Sequence, residues 1–243
     1  MQVRFVGCGD AFGSGGRWQT CIMVRAAGQV MLVDCGATSL TALRAQNLDP
    51  QAVDTVAVTH LHGDHFGGLP FLILDGQFRG RAKPLRIIGP PGTAARLTGA
   101  METLFPGSSA VTRRFEVEVS ELAPGGSAQA GGLRVRGWEV VHACGAPPLA
   151  LRVEDGQSSF AYSGDTQWTP VLLAAADGAN LFAAEAYTFD KPVRYHLDYL
   201  TLAAHAAEIG AARTVLTHLS PDMLARQAEA GLPVASDGLT LEV

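Results

Sequence analysis

The run Thr59-His60-Leu61-His62-Gly63-Asp64-His65 holds three imidazoles and a carboxylate between positions 60 and 65, directly after the apolar stretch Val53-Asp54-Thr55-Val56-Ala57-Val58. Neutral imidazole nitrogens and carboxylate oxygens are the donors that zinc and manganese bind. A strand that ends abruptly in a loop can aim several of them at one point. The bland alternative is a polar turn rich in histidine, but His-x-His-x-Asp-His is far more demanding than a lone His-x-His.

Three further polar residues occupy the same kind of position. His142 closes Val140-Val141-His142, Asp165 stands in Tyr162-Ser163-Gly164-Asp165-Thr166, and His218 ends Val215-Leu216-Thr217-His218. Each follows an apolar run and opens a loop. One such histidine alone is more often structural than a ligand; with the central motif the three make a ligand set large enough for two cations. Five of the chain's seven histidines (His60, His62, His65, His142 and His218) fall into this scheme. His205 reads as an ordinary helix residue. Two cations sharing a carboxylate depress the pKa of a bridging water, so that hydroxide is available at neutral pH to attack an electrophile. Asp64 is close to that water by chain geometry and would orient it or take its proton.

The elements that must position these groups alternate. Strands are expected at Gln2–Val6, Thr20–Ala26, Val30–Asp34, Val53–Thr59 and Leu85–Ile88, with a helix over Thr38–Gln46 capped by Thr38 and others at Phe66–Leu74 and through Met101–Leu104. Further along, strands at Phe115–Val119 and Leu133–Val141 flank a Gly-rich turn, Pro124–Gly132. Leu149–Val153 and Ser159–Ser163 form a hairpin turning at Glu154-Asp155-Gly156. Asn180–Ala184, Arg213–Thr217 and Leu239–Val243 complete the strands, and Pro170–Ala176 and Leu200–Ile209 the helices. This order predicts an α/β fold: two mixed sheets with helices outside, a four-layer αββα sandwich, formed by residues 1–243 as one domain.

Composition bounds the rest. At 243 residues and 47% hydrophobic, the chain can bury a sizeable core. Its net charge of −5 and lack of a Lys/Arg run argue against a surface that tracks a phosphate backbone, so nucleic acid is not the expected partner. Cys8, Cys21, Cys35 and Cys144 lack zinc-knuckle spacing and read as free, buried thiols. No signal-peptide pattern or membrane-length apolar stretch is visible, so a cytoplasmic location is expected.

On these residues the chain resembles the metallo-β-lactamase-fold hydrolase superfamily, and within it the ribonuclease Z-like and cyclic-phosphate phosphodiesterase branch. The resemblance runs nearly end to end, through Phe5-Val6-Gly7-Cys8-Gly9-Asp10, Leu32-Val33-Asp34-Cys35-Gly36, the histidine motif, His142, Ser163-Gly164-Asp165-Thr166 and Leu216-Thr217-His218-Leu219-Ser220. It implies two divalent metal ions, zinc first and manganese as the alternative. His60, His62 and His142 would hold one; Asp64, His65 and His218 the other; Asp165 would bridge them. Asp34 would fix the histidine loop without binding metal. It also implies that His196, in Arg194-Tyr195-His196-Leu197-Asp198-Tyr199, is a catalytic histidine that neutralises developing charge and protonates the leaving alkoxide. Arg194 would assist or be a solvated loop charge. A homodimer is suggested as well.

The departures shape the functional expectation. Metallo-β-lactamases proper usually carry another residue where Asp165 stands, which turns the reading away from β-lactams. Ribonuclease Z typically reads His-Glu-Ala-Thr near Glu185, where this chain reads Ala184-Glu185-Ala186-Tyr187. It also inserts a long arm between the ligands matching His142 and Asp165, which only 22 residues separate here. The expected activity is therefore metal-dependent hydrolysis of small or cyclic phosphodiesters, a small-molecule substrate. The rivals are ester, thioester or lactone hydrolysis on the same site, tRNA 3′ processing, and a non-catalytic metal-binding role. Phe12, Trp18, Phe66, Trp168, Tyr187 and Tyr195 are the aromatics that could line a pocket.

Overall fold

Strict alternation along the strands sets the architecture. In Cys21–Val24, Ile22 and Val24 belong to one apolar cluster while Cys21 and Met23 belong to another, so a single strand separates two cores. A slip of one residue would exchange the two faces, which is why the register is sharply specified. The computed structural model describes residues 1–243. Strands β1 (Gln2–Gly7), β2 (Cys21–Ala26), β3 (Gln29–Val33), β4 (Thr55–Ala57), β5 (Leu85–Gly89) and β6 (Val117–Glu121) lie side by side in sequence order. The first three are antiparallel and the last four, from β3 on, parallel.

The second sheet contains β7 (Ser127–Ala130), β8 (Leu133–Glu139), β9 (Leu149–Glu154), β10 (Ser159–Tyr162), β11 (Leu181–Glu185) and β12 (Thr214–Thr217), again in sequence order. It is antiparallel from β7 to β10 and parallel from β10 to β12. The C-terminal β13 (Thr240–Glu242) returns to pair with β1, Val3 opposite Leu241. The sheets face each other across Phe5, Ile22, Val24 and Val33 on one side and Val135, Leu151, Phe160 and Tyr162 on the other. Each such side chain contributes about 1.5–3 kcal/mol on burial.

Helices α1 (Ser39–Ala45), α2 (Gly63–Phe66), α3 (Leu69–Phe78) and α4 (Thr93–Leu104) follow strands of the first sheet, and Leu43, Leu72, Ile73, Leu97 and Met101 cover its outer face. Helices α5 (Val171–Ala176), α6 (Tyr199–Ala204) and α7 (Pro221–Arg226) do the same for the second through Leu172, Leu202 and Met223. The four-layer αββα sandwich expected from sequence is the observed fold. None of the helices is long and apolar enough to cross a membrane.

Several local expectations differ: the helix expected over Leu200–Ile209 ends at Ala204, and the one expected over Phe66–Leu74 is divided into α2 and α3. The segment 124–132 is more than a turn: it contains β7, and it carries the chain from one sheet to the other, since β6 and β8 lie in different sheets. Thr38 precedes α1 but does not cap it with its side chain; its Oγ1 instead accepts from the Gln19 backbone N–H at 2.8 Å. Helix α7 begins at Pro221, in a segment that carries little 3.6-residue apolar pattern.

Candidate metal centre

All the chemistry-bearing side chains gather at one end of the sandwich, where loops of the two sheets are tied together. The Leu149 N–H donates to the Thr59 carbonyl at 2.9 Å, and the His218 N–H to the Cys8 carbonyl at 3.0 Å. The histidine loop leaves β4 and enters α2 after His62. His142 follows β8, Asp165 follows β10, and His218 follows β12 in a left-handed conformation, φ +61°. A non-glycine residue held there stores strain that the surrounding structure must offset, a common feature of functional sites.

The rings of His60, His62 and His142 form a nearly equilateral triangle with centroid separations of 4.9, 4.8 and 4.9 Å. Their ligand atoms lie close enough to hold one ion. Asp64, His65, Asp165 and His218 form a second group. His65 Nε2 is 3.2 Å from Asp64 Oδ2 and 3.1 Å from Asp165 Oδ1, and His218 Nε2 is 3.2 and 3.5 Å from the same two oxygens. Asp165 also faces the first group, its other oxygen, Oδ2, lying 3.9 Å from His60 Nε2. The two groups are thus adjacent, with Asp165 between them.

The donor set fits divalent cations. Asp34, Asp64, Asp165 and Glu185 are four buried carboxylates with only imidazoles between them. That much buried negative charge calls for compensating positive charge. His60 Nε2 and Asp165 Oδ1 are buried without a hydrogen-bond partner, the latter close to His65 but poorly aligned. Such orphans cost about 1–3 kcal/mol each unless satisfied, which a coordinated ion would do.

The titration tendencies follow the same split. Burial, reinforced by neighbouring imidazoles, holds His60 and His62 below the ordinary histidine pKa, leaving neutral rings with free lone pairs. Burial opposes charge on His218 too, but Asp165 and the hydrogen bond with Asp64 override it and push the ring up to about 10. Against the same burial, His65 and His218 hold Asp64 well below the usual carboxylate range. Cys35 lies beneath the loop as a free thiol, and burial pushes it up to about 12, so it stays protonated and outside the ligand set. All four cysteines are free and buried.

Outer contacts fix the rings. Asp34 accepts from the Thr59 N–H at 2.7 Å and from its hydroxyl at 2.8 Å, and its Oδ2 meets His65 Nδ1 at 2.6 Å. This leaves His65 Nε2 facing Asp64 and Asp165, the arrangement by which outer carboxylates orient metal-binding histidines. His142 Nδ1 donates to the Tyr195 carbonyl at 3.0 Å. Arg194 stacks on the Tyr195 ring, 4.6 Å from its centroid, which places a cation beside the site.

His196 lies beside the ligands, its ring centroid 5.1 Å from that of His142. The sequence reading passed over Glu185 as a functional group, yet it is buried and its Oε1 is 2.5 Å from His196 Nδ1. Its Oε2 accepts from the Thr166 N–H at 2.8 Å, joining this pair to the Asp165 loop. The available signal was a carboxylate ending the apolar strand Leu181-Phe182-Ala183-Ala184-Glu185, the same pattern that marked the other ligands. Above the ligands lies a cavity of about 210 Å³ lined by Ala11, Phe12, His62, Asp64, Asp165, Tyr187, His196 and His218. Of the candidate aromatics, Phe12 and Tyr187 reach this cavity. Phe66 is core, Trp18 packs against that core, and Trp168 stacks on His205 at 4.0 Å, just beyond α6.

Fold and site together define a metal-dependent hydrolase of the metallo-β-lactamase fold. More narrowly, the chain belongs to the family of the anti-Pycsar protein Apyc1, whose model matches residues 1–233. Ribonuclease Z of Methanothermobacter thermautotrophicus is 28% identical across 100% of this chain and 97% of the relative, and that of Mycobacterium avium 29% identical across 94% and 89%. Human short-form tRNase Z has the same fold with a TM-score of 0.82 at 25% identity, covering 100% of this chain and 99% of that one. The metallo-β-lactamase-fold protein YhfI from Bacillus subtilis superposes with a TM-score of 0.79 at 20% identity, covering 99% of each chain.

These relatives overturn the exclusion of nucleic acid made from charge. Proteins named ribonuclease Z match this chain over nearly its whole length. Net charge is a global sum, whereas phosphate recognition depends on the local field, and a metal centre supplies that field irrespective of an acidic surface elsewhere.

Proposed function

We propose that the protein hydrolyses phosphodiesters, small or cyclic ones in the first instance, with zinc or alternatively manganese held by His60, His62 and His142 and by Asp64, His65 and His218, and with Asp165 shared. The observation that carries this reading is the Glu185–His196 pair at the edge of the same cavity. A bound metal pair supplies an activated water and a Lewis acid for the phosphoryl oxygens.

The chain's own groups would do the rest. Against its burial, Asp64 is held ionised by His65 and His218, so it can orient the attacking water by accepting its hydrogen bond. Although burial opposes it, Glu185 raises the pKa of His196 above the ordinary value, so Nδ1–H is held by the carboxylate while Nε2 keeps its proton to higher pH than a free imidazole would. That proton can pass to the departing alkoxide, and the imidazolium offsets negative charge growing on the phosphoryl group. Thioester cleavage expels a thiolate that needs little acid, so a buried carboxylate–histidine pair favours substrates that expel an alkoxide; among these a phosphodiester, whose phosphoryl group gathers more negative charge than an acyl carbon, gains most from the imidazolium.

A parallel screen tests it. Purified, metal-loaded protein is assayed on bis(p-nitrophenyl) phosphate, cyclic and linear nucleoside phosphodiesters, a short RNA, a thioester and a lactone. Turnover confined to the phosphodiesters is expected. Preference for thioester or lactone would sink the proposal, and activity on the RNA alone would narrow it to nucleic acid.

A further inference from the structure

The structure assigns Phe12 a role that the metal chemistry does not require: we propose that it is the stacking platform for a planar aromatic substituent of the phosphodiester, a nucleobase or an aryl group. This rests on the phosphodiesterase reading above. Phe12 is 84% exposed, and it lines the same cavity as His62, Asp64, Asp165 and His196. A phenylalanine so exposed gains nothing from packing, and most large apolar residues of this chain are buried.

Its loop is built to hold it out. Asp10, fully buried, accepts at Oδ1 from the backbone N–H of Phe12 (3.2 Å) and of Ser14 (2.9 Å), and at Oδ2 from the Ser14 hydroxyl (2.7 Å). Gln19 Nε2 donates to the Ala11 carbonyl at 2.9 Å. Gly13 turns the chain back at φ +68°, a conformation that glycine adopts without strain. The ring is therefore presented on an ordered loop, with little conformational entropy left to lose on binding. Tyr187 lies on the cavity wall as well, its ring tilted against His196 with centroids 4.6 Å apart. A phosphoryl group among the metal ligands and a flat substituent against Phe12 would use the cavity from floor to rim. Alkyl or bare-sugar diesters would leave the rim empty.

Stacking of a base on an aromatic side chain corresponds to roughly 5–150-fold in binding. The test uses the metal-loaded protein with Phe12→Ala and Phe12→Trp. Binding of a nucleoside monophosphate, of phenyl phosphate and of ribose 5-phosphate is measured by calorimetry, and turnover is measured on matched diesters with and without the aromatic group. We expect Phe12→Ala to weaken both aromatic ligands about tenfold or more, to leave ribose 5-phosphate within twofold, and Phe12→Trp to restore the preference. A loss confined to the nucleotide or to the aryl ligand would identify which the platform takes. Equal weakening of all three ligands, or an altered oligomeric state with unchanged preference, would overturn the assignment. Should the wild type turn over no diester, the phosphodiesterase reading fails, while the binding ratios still decide the role of Phe12.

Discussion

Asp34 and His65 are joined 31 residues apart in sequence by a 2.6 Å contact between a carboxylate oxygen and Nδ1, both side chains fully buried. Asp34 is itself held in a left-handed conformation, φ +62°, at the end of β3. The contact fixes which nitrogen of His65 faces the metal site. Its energetic role is orientation, since the carboxylate also satisfies both the N–H and the hydroxyl of Thr59.

Replacing Asp34 by Asn keeps the shape but weakens the hold on the Nδ1 proton. Metal affinity should fall about 10–100-fold, as is usual when such an outer partner is removed. Titration with a competing chelator measures it. An unchanged affinity in a folded Asp34→Asn protein would mean that the backbone bonds from Cys35 to His65 and from Ala37 to Gly63 fix the loop without the carboxylate.

Glu185→Gln should act through pH. The carboxylate raises the pKa of His196, and activity that needs the protonated ring is lost as pH rises through that raised value. Without the charge the pKa drops, so the alkaline limb of kcat/KM should move to lower pH while metal content stays full. His196→Ala should remove the limb and cost about 10²–10⁴-fold on diesters with poor leaving groups, with a smaller loss on p-nitrophenyl esters. Equal loss on both substrate types would sink the general-acid role.

Chelation should destabilise the fold. The buried carboxylates Asp64 and Asp165 and the five ligand imidazoles would lose the cations that satisfy them. Metal at about 100 times its dissociation constant stabilises by about 2.7 kcal/mol, corresponding to a Tm shift of about 5–10 °C for a chain of this size. Differential scanning calorimetry with and without chelator reads it, and refilling with zinc or manganese should restore the higher value. A Tm indifferent to chelator would argue against a structural share for the metals.

How much of this was legible beforehand depended on where the signal lay. The seven candidate ligands sit at strand ends after apolar runs, a local pattern that survives without knowledge of the fold, and the structure brings all seven together. Glu185 obeys the same pattern but lies within five apolar or small residues with no neighbouring polar motif, so only the contact with His196 exposes it. The crossover between sheets at 124–132 was unreadable because β7 is short and half polar, Ser127-Ala128-Gln129-Ala130, with turn residues on both sides. The global exclusion of nucleic acid failed for a different reason: charge was summed over a surface when the relevant field is local.

Gly36 offers a test of how tightly the histidine loop must pack. A Cβ there would come within 2.2 Å of the Asp64 carbonyl oxygen and 2.8 Å of Gln19 Cβ, so backbone must move to admit it. Gly36→Ala should therefore displace the Asp64 end of the loop, cost about 1–3 kcal/mol of stability and lower metal loading together with it. Gly99, inside α4 with open space where its Cβ would be, is the matched control. There the same substitution should stabilise by about 0.5–1 kcal/mol through helix propensity, raise Tm slightly and leave metal content untouched. Thermal melts and elemental analysis of the two variants side by side separate the effects. If Gly36→Ala retains both metals and full stability, the loop is looser than its contacts imply, and close packing under Asp64 is not what holds the site.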